Sequence, residues 1–260
     1  MAARVRAPIP DLREGTSSAR EATAHYLTRV LRLGVGDAFV AFDPQSAREA
    51  DATIVGIGGE VTLDIGPLRP ARVIAPRALT FVQGLAKGDK CDAVVRDATE
   101  LGATRVIIAD CARSVVQLQG PKRQARLERW VRIAHEAARQ CGRADPPHIE
   151  LLSWREAMAQ IEPSAQRFCL HVPSPGGPQA PLGPLLLSAL STPAPLPDHE
   201  MPIAFAAGPE GGLTDDEVAL AESAGWRIAT VGNLILRTET AAAAVLGAVR
   251  IFEGATFREK

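Results

Sequence analysis

Residues 203–246 constrain the fold of this chain more than any other stretch. They hold two apolar runs, Ile203–Ala207 and Trp226–Val231, each ending in a glycine-bearing loop that leads into a helical pattern. Strand, loop and helix repeated in that order predict a parallel sheet, with both loops meeting at one of its edges. α/β sheets bind their ligands at such an edge. In the first loop Gly208, Gly211 and Gly212 permit positive φ and close backbone approach, while Pro209 fixes one φ and removes one donor. Thr214 as N-cap, Glu217 as its capping-box partner and Leu213 with Val218 as a hydrophobic staple predict the start of the next helix. Gly225 predicts its end.

The second loop, Gly232-Asn233, runs into Leu234-Ile235-Leu236 and then Arg237-Thr238-Glu239-Thr240. The apolar run either fills a core or lines a ligand pocket. A last helix is predicted from about Thr238 to Glu253, with Glu239 in the first turn, where the helix dipole favours an acid. Ala241 to Ala244 give it a small-residue face against which another backbone can pack. No lysine follows the glycines as a Walker loop requires, and no G-x-G-x-x-G is present. Glu210 would repel a polyphosphate, so a neutral or cationic nucleoside cofactor is the better match.

The remaining chemistry is narrow. Cys91, Cys111, Cys141 and Cys169 form no C-x-x-C pair, so zinc and dithiol chemistry are not indicated and reduced thiols are expected. His135-Glu136 opens an H-E-x-x-H-like pattern, but position 139 is arginine, and no G-x-S-x-G elbow occurs. No apolar run approaches the ~20 residues that span a bilayer, and the arginine-bearing start lacks a signal-peptide core. A soluble, cytoplasmic protein without metal or membrane is the expectation.

Along the chain, residues 1–18 read as an extended arm, 21–33 as a helix ending at Gly34, and 38–42, 53–57 and 61–65 as short strands. Together they predict a small β-barrel over residues 1–70, bounded by Pro67, Pro70 and Pro76. From residue 71 to 260 strands alternate with helices: Leu79–Gln83, a helix over 89–101 stopped by Gly102, Thr104–Ala109, a long helix, Ile149–Leu152, a short helix from Trp154, and Arg167–Val172. The proline- and glycine-rich connection 173–202, with a short helix at 185–190, should pass over the site.

A net charge of −1 carries no global nucleic-acid signature, so RNA contact would rest on local patches. Arg29 and Arg32 belong to one. The other runs from Arg113 to Arg143 and includes Lys122, Arg123 and Arg126, with only Glu128 and Glu136 opposing. The arginines either form a solvated helix face or neutralise phosphates.

Gly208-Pro209-Glu210-Gly211-Gly212-Leu213, followed in order by Leu236-Arg237-Thr238-Glu239-Thr240-Ala241, resembles the RsmE family of 16S ribosomal RNA methyltransferases, of the SPOUT class. His25 through Asp43 is similar to the PUA-like domain of that family, and Glu136 to Arg143 to another of its segments. Where the family usually has a proline and a basic residue after the second-loop glycine, this chain has Asn233-Leu234. The resemblance implies an α/β trefoil-knotted SPOUT domain behind an RNA-binding PUA-like barrel. It further implies S-adenosyl-L-methionine held by Gly208, Gly212, Val231, Gly232, Leu234, Leu236, Arg237 and Thr238, with His171 close by. The implied reaction is methylation of N3 of one 16S uridine in the 30S subunit by a homodimer joined through the knot domain. That chemistry needs removal of the N3 proton and stabilisation of the uracil anion. Arg237, Glu239 and Glu210 are the candidates, each with a structural alternative: a first-turn dipole acid for Glu239, and pairing with either acid for Arg237. Two other readings stay open, a SPOUT methyltransferase acting on another RNA and a non-catalytic ribosome-assembly protein.

Overall fold

The computed structural model describes residues 5–19, 21–73, 75, 77–172, 180–191 and 201–256. They divide into two compact units, one of Met1–Ile74 with Ala138–Pro146, the other of Ala75–Ala137 with Pro147–Lys260. The expected first domain, residues 1–70, lies inside the first unit. Residues 138–146 join it because Ala144 packs with Phe42 and Ala71 and donates its N–H to Val73 O at 2.9 Å.

In the first unit β1 (Arg6–Pro8), β2 (Gly15–Ala19), β3 (Ala38–Asp43), β4 (Arg48–Ile57), β5 (Val61–Ile65) and β6 (Arg69–Pro70) form one sheet in the order β1-β3-β4-β5-β2, with β6 on β4. The N-terminal residues are therefore not a free arm: β1 pairs in parallel with β3, and β2 antiparallel with β5. Among the described residues no ladder joins β1 to β2. Leu27, fully buried with Phe39, Ile54 and Leu63, covers the core from outside the strands. The helix that supplies it is shorter than the sequence predicts. α1 (Glu21–His25) widens into a π-helical turn at Tyr26–Val30, with Leu31 N–H bonded to Tyr26 O, and the chain turns left-handed at Arg32 rather than at Gly34.

The second unit is built on a wholly parallel sheet. Its strands are β7 (Leu79–Gly84), β8 (Arg105–Asp110), β9 (His148–Ser153), β10 (Gln166–Leu170), β11 (Ala180–Pro181), β12 (Ile203–Ala207) and β13 (Arg227–Thr230), in the order β11-β13-β10-β12-β7-β8-β9. Side chains alternate across it. Leu79, Phe81, Val106, Ile108, Phe168, Leu170, Ile203 and Phe205 face one side, with α2 (Lys90–Glu100), α3 (Gly120–Cys141), α5 (Leu182–Ser191) and α7 (Thr238–Thr256). Val82, Ile107, Cys169, Ala204 and Ala206 face the other, with α4 (Trp154–Ala159) and α6 (Asp215–Ser223). Burial on both faces explains why these strands read as continuous apolar runs.

Strands β12 and β13, whose loops were expected to meet at one sheet edge, are separated by β10, which pairs with both. Their loops still leave the same sheet edge. α6 has the predicted capping box between Thr214 and Glu217, and Gly225 at φ 81 follows its last turn. The short helix in the long connection is α5, Leu182–Ser191; the remainder of that connection, 173–179 and 192–200, lies outside the described residues. Among the described residues no helix is long and apolar enough to cross a membrane.

Candidate functional site

At the carboxyl ends of β10 and β12 a pocket with a cavity volume of about 90 Å³, open to solvent, is lined by Leu170, His171 and Val172, by Ala207, Gly208, Pro209, Gly212 and Leu213, and by Val231, Leu234, Ile235, Leu236 and Ala241. Three chain segments therefore converge: the end of β10, the glycine loop after β12, and the loop after β13 with the start of α7. The lining is apolar apart from backbone groups and the His171 ring, which suits a neutral nucleoside and offers no cation to a phosphate. His171 is placed by its own backbone, whose N–H donates to Ala229 O at 3.0 Å.

Of the residues expected to hold a cofactor, Gly208, Gly212, His171, Val231, Leu234 and Leu236 line this pocket; Gly232, Arg237 and Thr238 sit beside its lining residues in sequence. Gly212 and Gly232 take φ values of 71° and 65°, the left-handed region these turns need. Leu170, Val172, Ala207, Pro209, Leu213, Ile235 and Ala241 line it too and were not anticipated. For all but Ala241, which lies in the first turns of α7, the signal was position, since each adjoins an anticipated residue at a strand end or loop. Leu234 and Ile235 are 76% and 75% exposed, so the apolar run after Gly232 does not fill a core.

The first loop is held from outside the pocket. A Cβ on Gly84 would lie 2.4 Å from the Pro209 nitrogen, so the loop backbone rests directly on the end of β7. The Gln83 amide donates to Gly84 O at 2.9 Å and Gly208 O at 3.1 Å. Glu210 turns away from the lining: its Oε1 accepts from Lys90 Nζ at 2.9 Å and from Lys87 N–H at 3.2 Å. Partial burial would raise the Glu210 carboxyl, but these donors outweigh it and hold its pKa below the ordinary value. Arg113 donates to Gly211 O at 3.2 Å and Leu213 O at 3.1 Å, and its Cβ fills the space a side chain at Gly211 would need. Glu239, in the first turn of α7, has one buried carboxylate oxygen without a hydrogen-bond partner among the described residues.

The arginines read as an RNA face divide sharply. Arg123 bonds Asp110 at 2.9 Å and the Leu151 carbonyl. Arg129 bonds Asp92 at 2.6 Å, Trp130 Nε1 donates to the same carboxylate, and Arg126 stacks over the Trp130 ring at 5.9 Å. Arg143 is 3% exposed and paired with Asp145 at 3.0 Å, so its guanidinium has no face to offer a phosphate. Lys122, Arg29 and Arg32 are exposed. Sequence shows the sign excess on α3; the partners that consume it arrive from α2 and from the ends of β8 and β9. Burial pushes the thiols of Cys91 and Cys169 up, to about 11 and about 12, which leaves them inert.

A parallel α/β sheet carrying an apolar pocket at its carboxyl edge, in a chain with a second small β unit, defines the class: a two-unit α/β ligand-binding protein. Family models match both parts, "RNA methyltransferase domain" over residues 74–250 and "RNA methyltransferase PUA domain" over 20–65. The chain belongs to the RNA methyltransferase family, and within it to the ribosomal RNA small subunit methyltransferase E (RsmE) group. It is 30% identical over 228 residues to ribosomal RNA small subunit methyltransferase E of Bacillus subtilis, covering 86% of each chain. It is 31% identical over 251 residues to that of Synechocystis, covering 91% of this chain and 73% of the relative. Among solved structures, a methyltransferase from Legionella pneumophila, with bound SAM, superposes with a TM-score of 0.79 at 22% identity, over 96% of this chain and 98% of that one. Ribosomal RNA small subunit methyltransferase E from Neisseria gonorrhoeae, bound to S-adenosyl methionine, does so at 0.76 and 24%, with the same coverage. At these identities the two structures speak for the fold.

Proposed function

We propose that the chain uses S-adenosylmethionine to methylate N3 of a uridine in 16S ribosomal RNA within the 30S subunit, in the cytoplasm. The observation that carries the reading is the apolar pocket where the two glycine loops and the end of β10 converge. A neutral adenosine with a sulfonium fits a lining of Leu170, Val231, Leu234 and Leu236 that presents backbone rather than cations. Gly208, Gly212, Gly232 and the backbone of Arg237 and Thr238 would hold it. When bound, the cofactor supplies an electrophilic methyl group.

The chain's own residues supply the rest. N3 of uracil must lose its proton before its lone pair can take the methyl group. Arg237, exposed just before α7, can stabilise the resulting negative oxygen, and Glu239, in the first turn of α7 with an oxygen unpartnered among the described residues, can accept the proton. Glu210 is better suited to fixing its loop, because Lys90 and the Lys87 N–H already occupy its carboxylate. Lys122, Arg29 and Arg32 are exposed cations suited to phosphate contact.

The deep trefoil knot is part of the same reading. It is supported by the strand order, in which β13 lies beyond β10 and the chain then returns as α7 to pack on α2. So is a homodimer. Ala242, Val245, Leu246 and Val249 bury one face of α7 in the chain's own core, which leaves Ile251, 73% exposed, together with Leu234 and Ile235 for a second copy. Incubating the protein with unmodified 30S particles and methyl-labelled cofactor, then identifying the labelled nucleoside, tests the function. 3-Methyluridine is expected; a different nucleoside or unlabelled RNA overturns it. Light scattering at micromolar concentration tests the dimer.

A further inference from the structure

A buried polar residue stands where packing alone calls for an apolar one. Gln83 ends β7 in register with Ala207 of β12 and Ile108 of β8, and the same row continues to Leu170, Ala229 and Leu151. In-register residues of neighbouring parallel strands point to one face. All of these neighbours are apolar and belong to the core beneath the pocket, and Leu170 and Ala207 line the pocket itself. Gln83 is 0% exposed. An amide placed there gives up its hydration, so hydrogen bonds must compensate.

Those bonds go to the loop. Both are accepted by carbonyl oxygens, Gly84 O and Gly208 O, which fixes the nitrogen as the group facing them. Gly84 and Pro209 are in backbone contact, so the strand end and the loop start are already pressed together. The two hydrogens of one NH2 bridge their carbonyls. The amide oxygen, Oε1, is buried with no hydrogen-bond partner among the described residues, so the nitrogen alone ties the side chain to the loop.

We propose that Gln83 is a positioning residue for the cofactor pocket, holding the Gly208 carbonyl and thereby the pocket-facing edge of the Gly208–Gly212 loop. This rests on the reading of the pocket as a cofactor site. An apolar side chain of the same size fills the row but leaves both carbonyls without the donor. A glutamate matches the shape, yet when ionised it sets a negative oxygen against them. Protonation restores one O–H donor, and burial raises the pH at which that happens.

The full-length protein is titrated calorimetrically with S-adenosylmethionine at about pH 8 and about pH 5.5, and amide hydrogen exchange of residues 208–212 is followed without ligand. Gln83→Leu is expected to weaken binding about tenfold at both pH values and to speed exchange in the loop, while the rest of the sheet keeps its protection. Gln83→Glu is expected to bind as weakly at the higher pH and to recover at the lower, a response that a space-filling role does not give. Binding by both variants within about twofold of wild type, or a Gln83→Glu affinity indifferent to pH, overturns the proposal. Should Gln83→Leu not fold, Gln83→Met carries the same comparison. A wild-type protein that binds no S-adenosylmethionine overturns the functional reading instead; loop exchange unchanged in the variants overturns the Gln83 assignment whichever way that falls.

Discussion

Pro209 lies on Gly84 so closely that a Cβ built on the glycine would come 2.4 Å from the proline nitrogen and 2.5 Å from its Cδ. Strand β7 thus ends in the one residue type that lets the pocket loop reach the sheet. The contact is backbone against backbone, so neither side can yield by turning a side chain.

Gly84→Ala should therefore displace the loop rather than be absorbed. Overpacking of this kind costs about 1–3 kcal/mol, and the unfolding midpoint is expected to fall by several degrees. S-adenosylmethionine binding, measured by calorimetry, should fall by at least about tenfold. An alanine variant with native affinity would mean that the loop does not need this seat.

Lys90→Met should leave thermal stability nearly unchanged, since a partly exposed pair such as Lys90–Glu210 contributes about 0–1 kcal/mol. Cofactor affinity should drop several-fold because Glu210 no longer tethers its loop. The sign of the pH dependence follows from the lowered carboxyl. Above the ordinary carboxylate range the tether is intact, and it is lost as the pH falls through the depressed folded value. Affinity measured against pH should show that acid limb in wild type and not in Glu210→Gln.

In the first unit, Glu49 is buried and meets Arg6 Nη2 at 2.9 Å, Arg69 Nε at 3.1 Å and the Arg72 N–H at 3.2 Å. Burial would raise its pKa, but the Arg72 N–H, Arg6 and Arg69 together bring it below the ordinary value. Its stabilisation is thus present above the unfolded carboxylate value, ~4.3, and disappears as the pH drops through the folded one. Glu49→Gln should cost about 1–3 kcal/mol near neutrality and flatten the acid limb of stability measured by urea unfolding.

Arg143 and Lys122 should separate folding from RNA contact. Arg143→Ala removes the buried partner of Asp145 and is expected to lower the unfolding midpoint. Lys122→Glu, at an exposed position, should leave the midpoint alone while weakening binding to 16S RNA and reducing its salt dependence, read by filter binding at two ionic strengths. Equal RNA affinity for Lys122→Glu and wild type would remove Lys122 from the interface.

Local chemistry was legible from the chain alone. The capping box at Thr214 and Glu217, the stop at Gly225 and the parallel strands from Leu79 onward each depend on near neighbours in sequence, while Gly208, Gly212, Leu234 and Leu236 were picked out by the resemblance of their motifs to a family. Only the tertiary structure decided what depends on distant partners. It set β10 between β12 and β13 and drew N-terminal residues into the first sheet as β1 and β2. It paired Arg123 with Asp110, Arg129 with Asp92 and Arg143 with Asp145, and it brought Gln83 under Gly208, 125 residues away. Caps and turns are fixed by the hydrogen bonds of a few adjacent residues. A charge or a buried amide takes its meaning from whichever group the fold carries to it.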